Sequence, residues 1–206
     1  YSQLLAKQGY LVYSFDFYGG SRQSKSGGQG MLNMSVKTEL TDLTQVMEKL
    51  SSETFVDKSK MSLFGASQGG VVASLYAATY PDRVYKLLLI FPAFVLFDDA
   101  KATYHELGSP DFDQLPDSLT HHNTTLGKIY LIDALDIDIQ AELAKITAPT
   151  LIIHGTDDAV VPYQYAVEAS QIIPNAELVT VESGEHRIDE RFAITAAPAI
   201  QQFLKE

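Results

Sequence analysis

The sequence contains no cysteine. Disulfides, thiolate metal sites and cysteine nucleophiles are therefore excluded, and either redox compartment stays open to the chain. Positive charge is scarce: 15 Lys and Arg stand against 26 Asp and Glu, a formal net charge of −11. Such a chain repels phosphate backbones, so neither nucleic acid nor an anionic membrane is an expected partner. Long hydrophobic runs are missing as well. The longest goes from Leu87 to Phe97 and is interrupted by Pro92, well short of the roughly 18–20 residues a membrane helix needs. No basic segment precedes an apolar one at the start, so no signal peptide is read there, and a cytoplasmic location is the expectation. What is present is ordinary for a globular protein. The 206 residues are 46% hydrophobic and 20% charged. That rules out a disordered chain and suffices for one domain over residues 1–206 with a full core.

Strand and helix signals alternate along the chain. Leu4 to Gly9 reads as the end of a helix, and Leu11–Phe15 as a short strand running into Asp16-Phe17-Tyr18-Gly19-Gly20. Residues 21–30 are Gly, Ser and charge, hence a loop. Val36, Leu40, Leu43, Met47 and Leu50 lie on one helical face. Ser35 is placed to cap that helix, and Glu39 lies near its positive end. Met61–Phe64 is a strand candidate, followed by a helix of small residues to about Tyr80 that Pro81-Asp82 stops. Val84–Phe91 and Thr150–His154 are nearly all apolar, as strands covered on both faces are. A helix over Tyr163–Ile173, a strand over Glu177–Val181 and a closing helix to Leu204 follow. This order predicts a mostly parallel α/β sheet flanked by helices. The excursion between Phe91 and Thr150 exceeds an ordinary crossover and keeps presenting aromatics such as Phe94, Phe97, Phe112 and Tyr130. It reads as a cap inserted at about residues 93–147.

Gly65-Ala66-Ser67-Gln68-Gly69 matches G-x-S-x-G between a strand and a helix. In such a turn the serine stands at the apex, and its flanking glycines avoid Cβ clashes. Ser67 then lies at the carboxyl edge of the sheet, with the Gln68 N–H as one oxyanion-hole donor. A serine hydroxyl needs a base. Of His105, His121, His122, His154 and His186, only His186 follows a strand on a loop expected at that same edge. His154 precedes Gly155 and reads as shaping a loop. His121 and His122 are adjacent, point to different faces and have no carboxylate at ligand spacing, so no metal site is expected. The imidazole in turn needs a carboxylate, and Asp157 and Asp158 both follow a strand.

The order Ser67, Asp, His186 resembles that of the α/β-hydrolases. Gly65–Gly70, His154–Pro162 and Gly184–His186 resemble the three catalytic segments of that family. The resemblance implies an α/β-hydrolase fold and places the acid on Asp158. Asp16–Ser21, Met34–Val36, Ser67–Ser74, Phe91–Ala93 and Thr125–Gly127 are further similar to the bacterial feruloyl and cinnamoyl esterases. In that branch the cap recognises the aromatic acyl part, which makes Asp98 and Asp99 candidate substrate contacts. The family's first strands and second oxyanion donor have no counterpart here. About 40–60 residues of a natural domain are therefore expected to lie outside this numbering.

The expected function is a serine carboxylester hydrolase acting on small esters, hydroxycinnamoyl esters among them, with no cofactor. A lipase-like or peptidase-like hydrolase or an acyltransferase on the same residues is the alternative within enzymes. A non-catalytic ligand-binding protein of the same fold is the alternative outside them. Activity of such a site rises as its imidazole sheds a proton, about pH 6–7 for an ordinary histidine.

Overall fold

The computed structural model describes residues 2–21, 24–27, 30–121 and 124–205. Its main sheet has four parallel strands: β1 (Leu63–Ala66), β2 (Leu87–Ile90), β5 (Thr150–Gly155) and β6 (Ala176–Val181), in the order β1-β2-β5-β6. The all-apolar run of β2 is split by the pleat into two faces. Leu87 and Leu89 join Ile152 of β5 in one core cluster, and Leu88 and Ile90 join Leu151 and Ile153 in the other. Helices cover both sides, as a buried parallel sheet requires. The first cluster lies under α2 (Val36–Ser51), α3 (Gln68–Thr79) and α7 (Gln164–Ile172). The second lies under α8 (Glu190–Lys205), which contributes Phe192, Ala196, Ile200 and Phe203 at helical spacing.

α3 is buried continuously from Gly70 to Ala78. Its small side chains let it sit close to β1 while α2 packs on its outer side. The excursion between β2 and β5 folds into α4 (Leu96–Glu106), the antiparallel hairpin β3 (Ser118–His121)–β4 (Thr124–Gly127), α5 (Lys128–Leu135) and α6 (Ile139–Leu143). Among the described residues no helix is long and apolar enough to cross a membrane.

The expected strand at Leu11–Phe15 does not form. After α1 (Ser2–Lys7) the chain runs through these residues without strand pairing, with Leu11 and Tyr13 largely exposed. A strand exists only where a neighbour completes its ladder, and among the described residues β1 is paired on one side alone, by β2. A short run of β-favouring residues is therefore insufficient. The strand expected at Met61–Phe64 also starts later, at Leu63.

The cap of α2 is as expected and better anchored. Ser35 is fully buried, its Oγ accepts from the Thr38 N–H, and the Thr38 hydroxyl accepts from the Ser35 N–H. The same Ser35 hydroxyl donates to Asp133 of α5, which ties α2 to the excursion. Ser35→Ala removes cap and tie together and should cost about 1–2 kcal/mol, read as a lower urea midpoint at unchanged m value.

Candidate active site

The turn between β1 and α3 puts Ser67 at φ 51°, ψ −127°, a left-handed backbone that a serine adopts only when held there. The holding is visible. The Ser67 N–H donates to Ile90 O at 3.0 Å, and its carbonyl accepts from Gly70 N at 2.9 Å and Ala93 N at 3.1 Å. A Cβ on Gly65 would lie 2.3 Å from Gly69 O, so this position admits only glycine. The second glycine of the motif behaves differently from expectation. Nothing lies within 4 Å of a Cβ on Gly69, and the crowded neighbour is Gly70, whose Cβ would approach Pro92 at 2.9 Å.

Two further strand ends meet Ser67. Asp158 lies on the loop after β5 and His186 on the loop after β6. His186 Nδ1 is 2.7 Å from Asp158 Oδ2, and Nε2 is 3.0 Å from Ser67 Oγ. Because the carboxylate only accepts, the imidazole proton belongs on Nδ1, and Nε2 is left to accept from the serine hydroxyl. Asp158 is almost fully buried, and its Oδ1 accepts from the Val160 and Val161 N–H groups at 2.9 and 2.8 Å. Asp157 is not the partner: its side chain accepts from the Thr156 hydroxyl. As the first residue of α3, Gln68 has one of the backbone N–H groups that a helix leaves without an internal acceptor. Together these groups form a hydroxyl–imidazole–carboxylate chain beside a free donor, which is chemically sufficient to activate an oxygen nucleophile and hold an oxyanion.

The two loops are locked at a glycine pair. A Cβ on Gly155 would lie 2.2 Å from Gly184 O. Asp157 N donates to that same oxygen at 3.0 Å, and Thr156 Oγ1 accepts from Ser183 N at 2.8 Å. Phe91, just past β2, packs its ring against that of His186 with centroids 4.4 Å apart.

His154 does more than shape a loop. It is fully buried, with Nε2 2.9 Å from Val161 O and 3.2 Å from Asp158 Oδ2. Both neighbours accept, so the proton sits on Nε2 and the ring braces the carboxylate that His186 also binds. Burial pushes the His154 pKa below its ordinary value, which keeps the ring neutral. The side chain of His121 and all of His122 lie outside the described residues, and among those residues no cluster of three His, Asp or Glu is arranged for a metal.

The two aspartates of α4 point to different places. Asp98 is largely exposed, pairs with Lys101 at 3.1 Å and accepts from the Tyr165 hydroxyl at 3.0 Å. It lines a cavity of about 550 Å³ with Phe94, Phe97 and Tyr165 that includes no member of the Ser67–His186–Asp158 chain. Asp99 is half-buried, and its charge helps to raise Tyr130 above the ordinary tyrosine pKa, a shift in which burial is the largest cause. Tyr130 donates to Gln68 Oε1 at 2.8 Å. Of the two, Asp99 is thus the one near the Ser67 turn.

Glu39 was legible only as a helix-end acid, yet it is 3% exposed and accepts from Gln68 Nε2 at 2.8 Å. Burial pushes its carboxyl up to about 7, opposed by the Gln68 bond and reinforced by Asp42. The signal that could have found it is its spacing: Glu39 stands three residues after Val36 and four before Leu43, on the apolar face of α2.

The architecture is that of an α/β-hydrolase. The prolyl oligopeptidase family (Peptidase_S9) matches residues 1–206, and the chain belongs to that family. Among solved structures, Est1E from Butyrivibrio proteoclasticus with ferulic acid bound is 28% identical at a TM-score of 0.78, over 92% of this chain and 74% of that one. The AB hydrolase superfamily protein YisY of Bacillus subtilis (strain 168) is 27% identical over 88% of this chain and 76% of its own length. RutD of Stutzerimonas stutzeri (strain A1501) is 40% identical over 70 residues, which are 34% of this chain and 26% of RutD. That match spans about a quarter of the curated relative.

Two measurements test this geometry. Gly155→Ala should slow labelling of the protein by a fluorophosphonate by about 100-fold, since a shift of about 1 Å in a reacting group costs that much. Glu39→Gln should stabilise the protein in a pH-dependent way. The raised carboxyl keeps its proton from about pH 4.5 to 7 in the folded state, while the unfolded chain has already lost it. Native stability therefore falls across that window. The advantage of the variant should be small near pH 4.5 and reach on the order of 3 kcal/mol above pH 7 in urea unfolding.

Proposed function

We propose that the chain is a serine ester hydrolase working through an acyl-enzyme. The observation that carries this reading is the continuous chain from Ser67 Oγ through His186 to Asp158, at 3.0 and 2.7 Å, on a strained turn. Ser67 Oγ attacks the ester carbonyl carbon, its proton passes to His186 Nε2, and the carbonyl π pair moves onto oxygen. The Gln68 N–H accommodates that charge. Collapse breaks the bond to the leaving alkoxide, which takes the proton from His186. Water then repeats the sequence on the acyl-enzyme, releasing the acid and restoring Ser67. Asp158 keeps the imidazole in the required tautomer and stabilises the imidazolium.

Hydroxycinnamoyl esters are the proposed substrates. The likeness to Est1E, whose structure holds ferulic acid, supports that choice, as does the aromatic-rich excursion over residues 93–147, which we assign as a cap. Asp99 beside Tyr130 is the proposed polar contact of the acyl pocket, in preference to Asp98. A second reading, peptide hydrolysis on the same residues, draws support from the family match.

Wild type should react with a fluorophosphonate and Ser67→Ala should not. Methyl ferulate should be turned over with a kcat/KM at least ~10-fold above that for long-chain p-nitrophenyl esters, and a prolyl p-nitroanilide should be a poor substrate. Faster cleavage of the anilide would replace the first reading by the second. A folded protein that neither labels nor turns over any ester would be a binder.

A further inference from the structure

The side chain of Gln68 is held at both ends. Its Nε2 donates to Glu39 Oε2 at 2.8 Å with the Met34 sulfur 3.6 Å away, and its Oε1 accepts from the Tyr130 hydroxyl at 2.8 Å. With Glu39 ionised the pairing has one sense only. An amide flip would set Oε1 against the carboxylate and deprive it of the hydroxyl donor. Glu39 Oε1 lies on the other side, against the loop after Asp16: a Cβ on Gly20 would come within 3.1 Å of it. Met34, Glu39 of α2 and Tyr130 of α5 thus meet the amide, and the loop at Gly20 lies against the far oxygen of Glu39.

The position is costly for a carboxylate. Glu39 is buried, faces the like charge of Asp42, and among the described residues forms no ion pair with a Lys, Arg or His. An apolar side chain would fill the place without desolvating an acid, so packing alone does not account for it. What the acid gains is its bond to Gln68, the residue whose backbone N–H adjoins the strained φ of Ser67. A peptide next to such a strained residue relaxes unless something outside the turn holds it.

We infer that Glu39 is a positioning residue for the oxyanion donor: with Tyr130 it clamps the Gln68 side chain, and through it fixes the Gln68 N–H toward the developing negative charge. This rests on the reading of Ser67 as nucleophile. Losing an oxyanion donor lowers kcat by about 10²–10³-fold, and a donor left in place but loosely aimed loses part of that.

Glu39→Leu removes the acceptor, Glu39→Asp withdraws it by one methylene, and Glu39→Gln keeps it. Steady-state hydrolysis of methyl ferulate and affinity for an aryl trifluoromethyl ketone are measured for all three. The ketone forms a hemiketal oxyanion on Ser67, its proton passing to His186, and so reads the donor directly. Leu and Asp should lower kcat about 10–100-fold with KM within about threefold and weaken the ketone by a similar factor. Gln should recover most of both. If Leu fails to fold, the Asp and Gln pair carries the comparison. Unchanged kcat in the Asp variant, a loss confined to KM, unchanged ketone affinity, or a Gln variant as impaired as Asp each overturns the inference. Fluorophosphonate labelling of wild type and Ser67→Ala is run alongside. Absence of Ser67-dependent labelling brings down the nucleophile reading and this inference with it, whereas normal labelling with unaffected Glu39 variants brings down the inference alone.

Discussion

The backbone at Ser67 is held at a positive φ that costs a non-glycine residue about 1–3 kcal/mol, and much of the molecule is arranged to supply that holding. β1 and β2 anchor it through the Ile90 carbonyl, α3 begins immediately after it, and Ala93 closes on its carbonyl from the start of the excursion. The absent side chains of Gly65 and Gly70 let Gly69 and Pro92 approach. A relaxed turn would swing the hydroxyl away from His186, so the sheet, the helix and the excursion serve one torsion.

The polar groups around this turn follow a common logic of unsatisfied chemistry kept under control. Asp158 is a buried acceptor surrounded by donors: two backbone amides and two imidazoles. That environment offsets the burial of its charge. Glu39 has the Gln68 amide as its donor among the described residues, and burial outweighs that bond, pushing its carboxyl up to about 7. The two acids thus meet different neighbours of Ser67, Asp158 holding His186 and Glu39 holding Gln68. One is well satisfied and directs the imidazole. The other is poorly satisfied and directed at the amide of Gln68. Buried polar groups that lower stability persist where geometry matters more than stability.

Much of the fold was legible because its signals are local. The apolar runs at Leu87–Ile90 and Thr150–Gly155 lie in a two-sided sheet, and Ser35 stands where an N-cap belongs. Leu11–Phe15 was misread because its composition is right for a strand while the neighbour a strand needs is a nonlocal matter. The motif identified Gly65 but misassigned the second crowding to Gly69, since the contact with Pro92 comes from a segment more than twenty residues away. His154 and Glu39 were given ordinary local roles because the groups they touch, Asp158 and Gln68, are reached through a turn or a second helix.

By itself the sequence determined the chemical types and their order: a serine between glycines at the end of one strand, a pair of aspartates after a second, a histidine after a third. Parallel strands carry their following loops to one edge, so that order is enough to predict that Ser67, one of two aspartates and His186 meet, and the family resemblance points to Asp158 as the acid. Tertiary structure alone decided the rest. It parted Asp98 from Asp99 and set the buried Glu39 against Gln68. The reason is that periodicity assigns a residue to a face of its own element, while its partners depend on how helices and loops distant in sequence pack against that face.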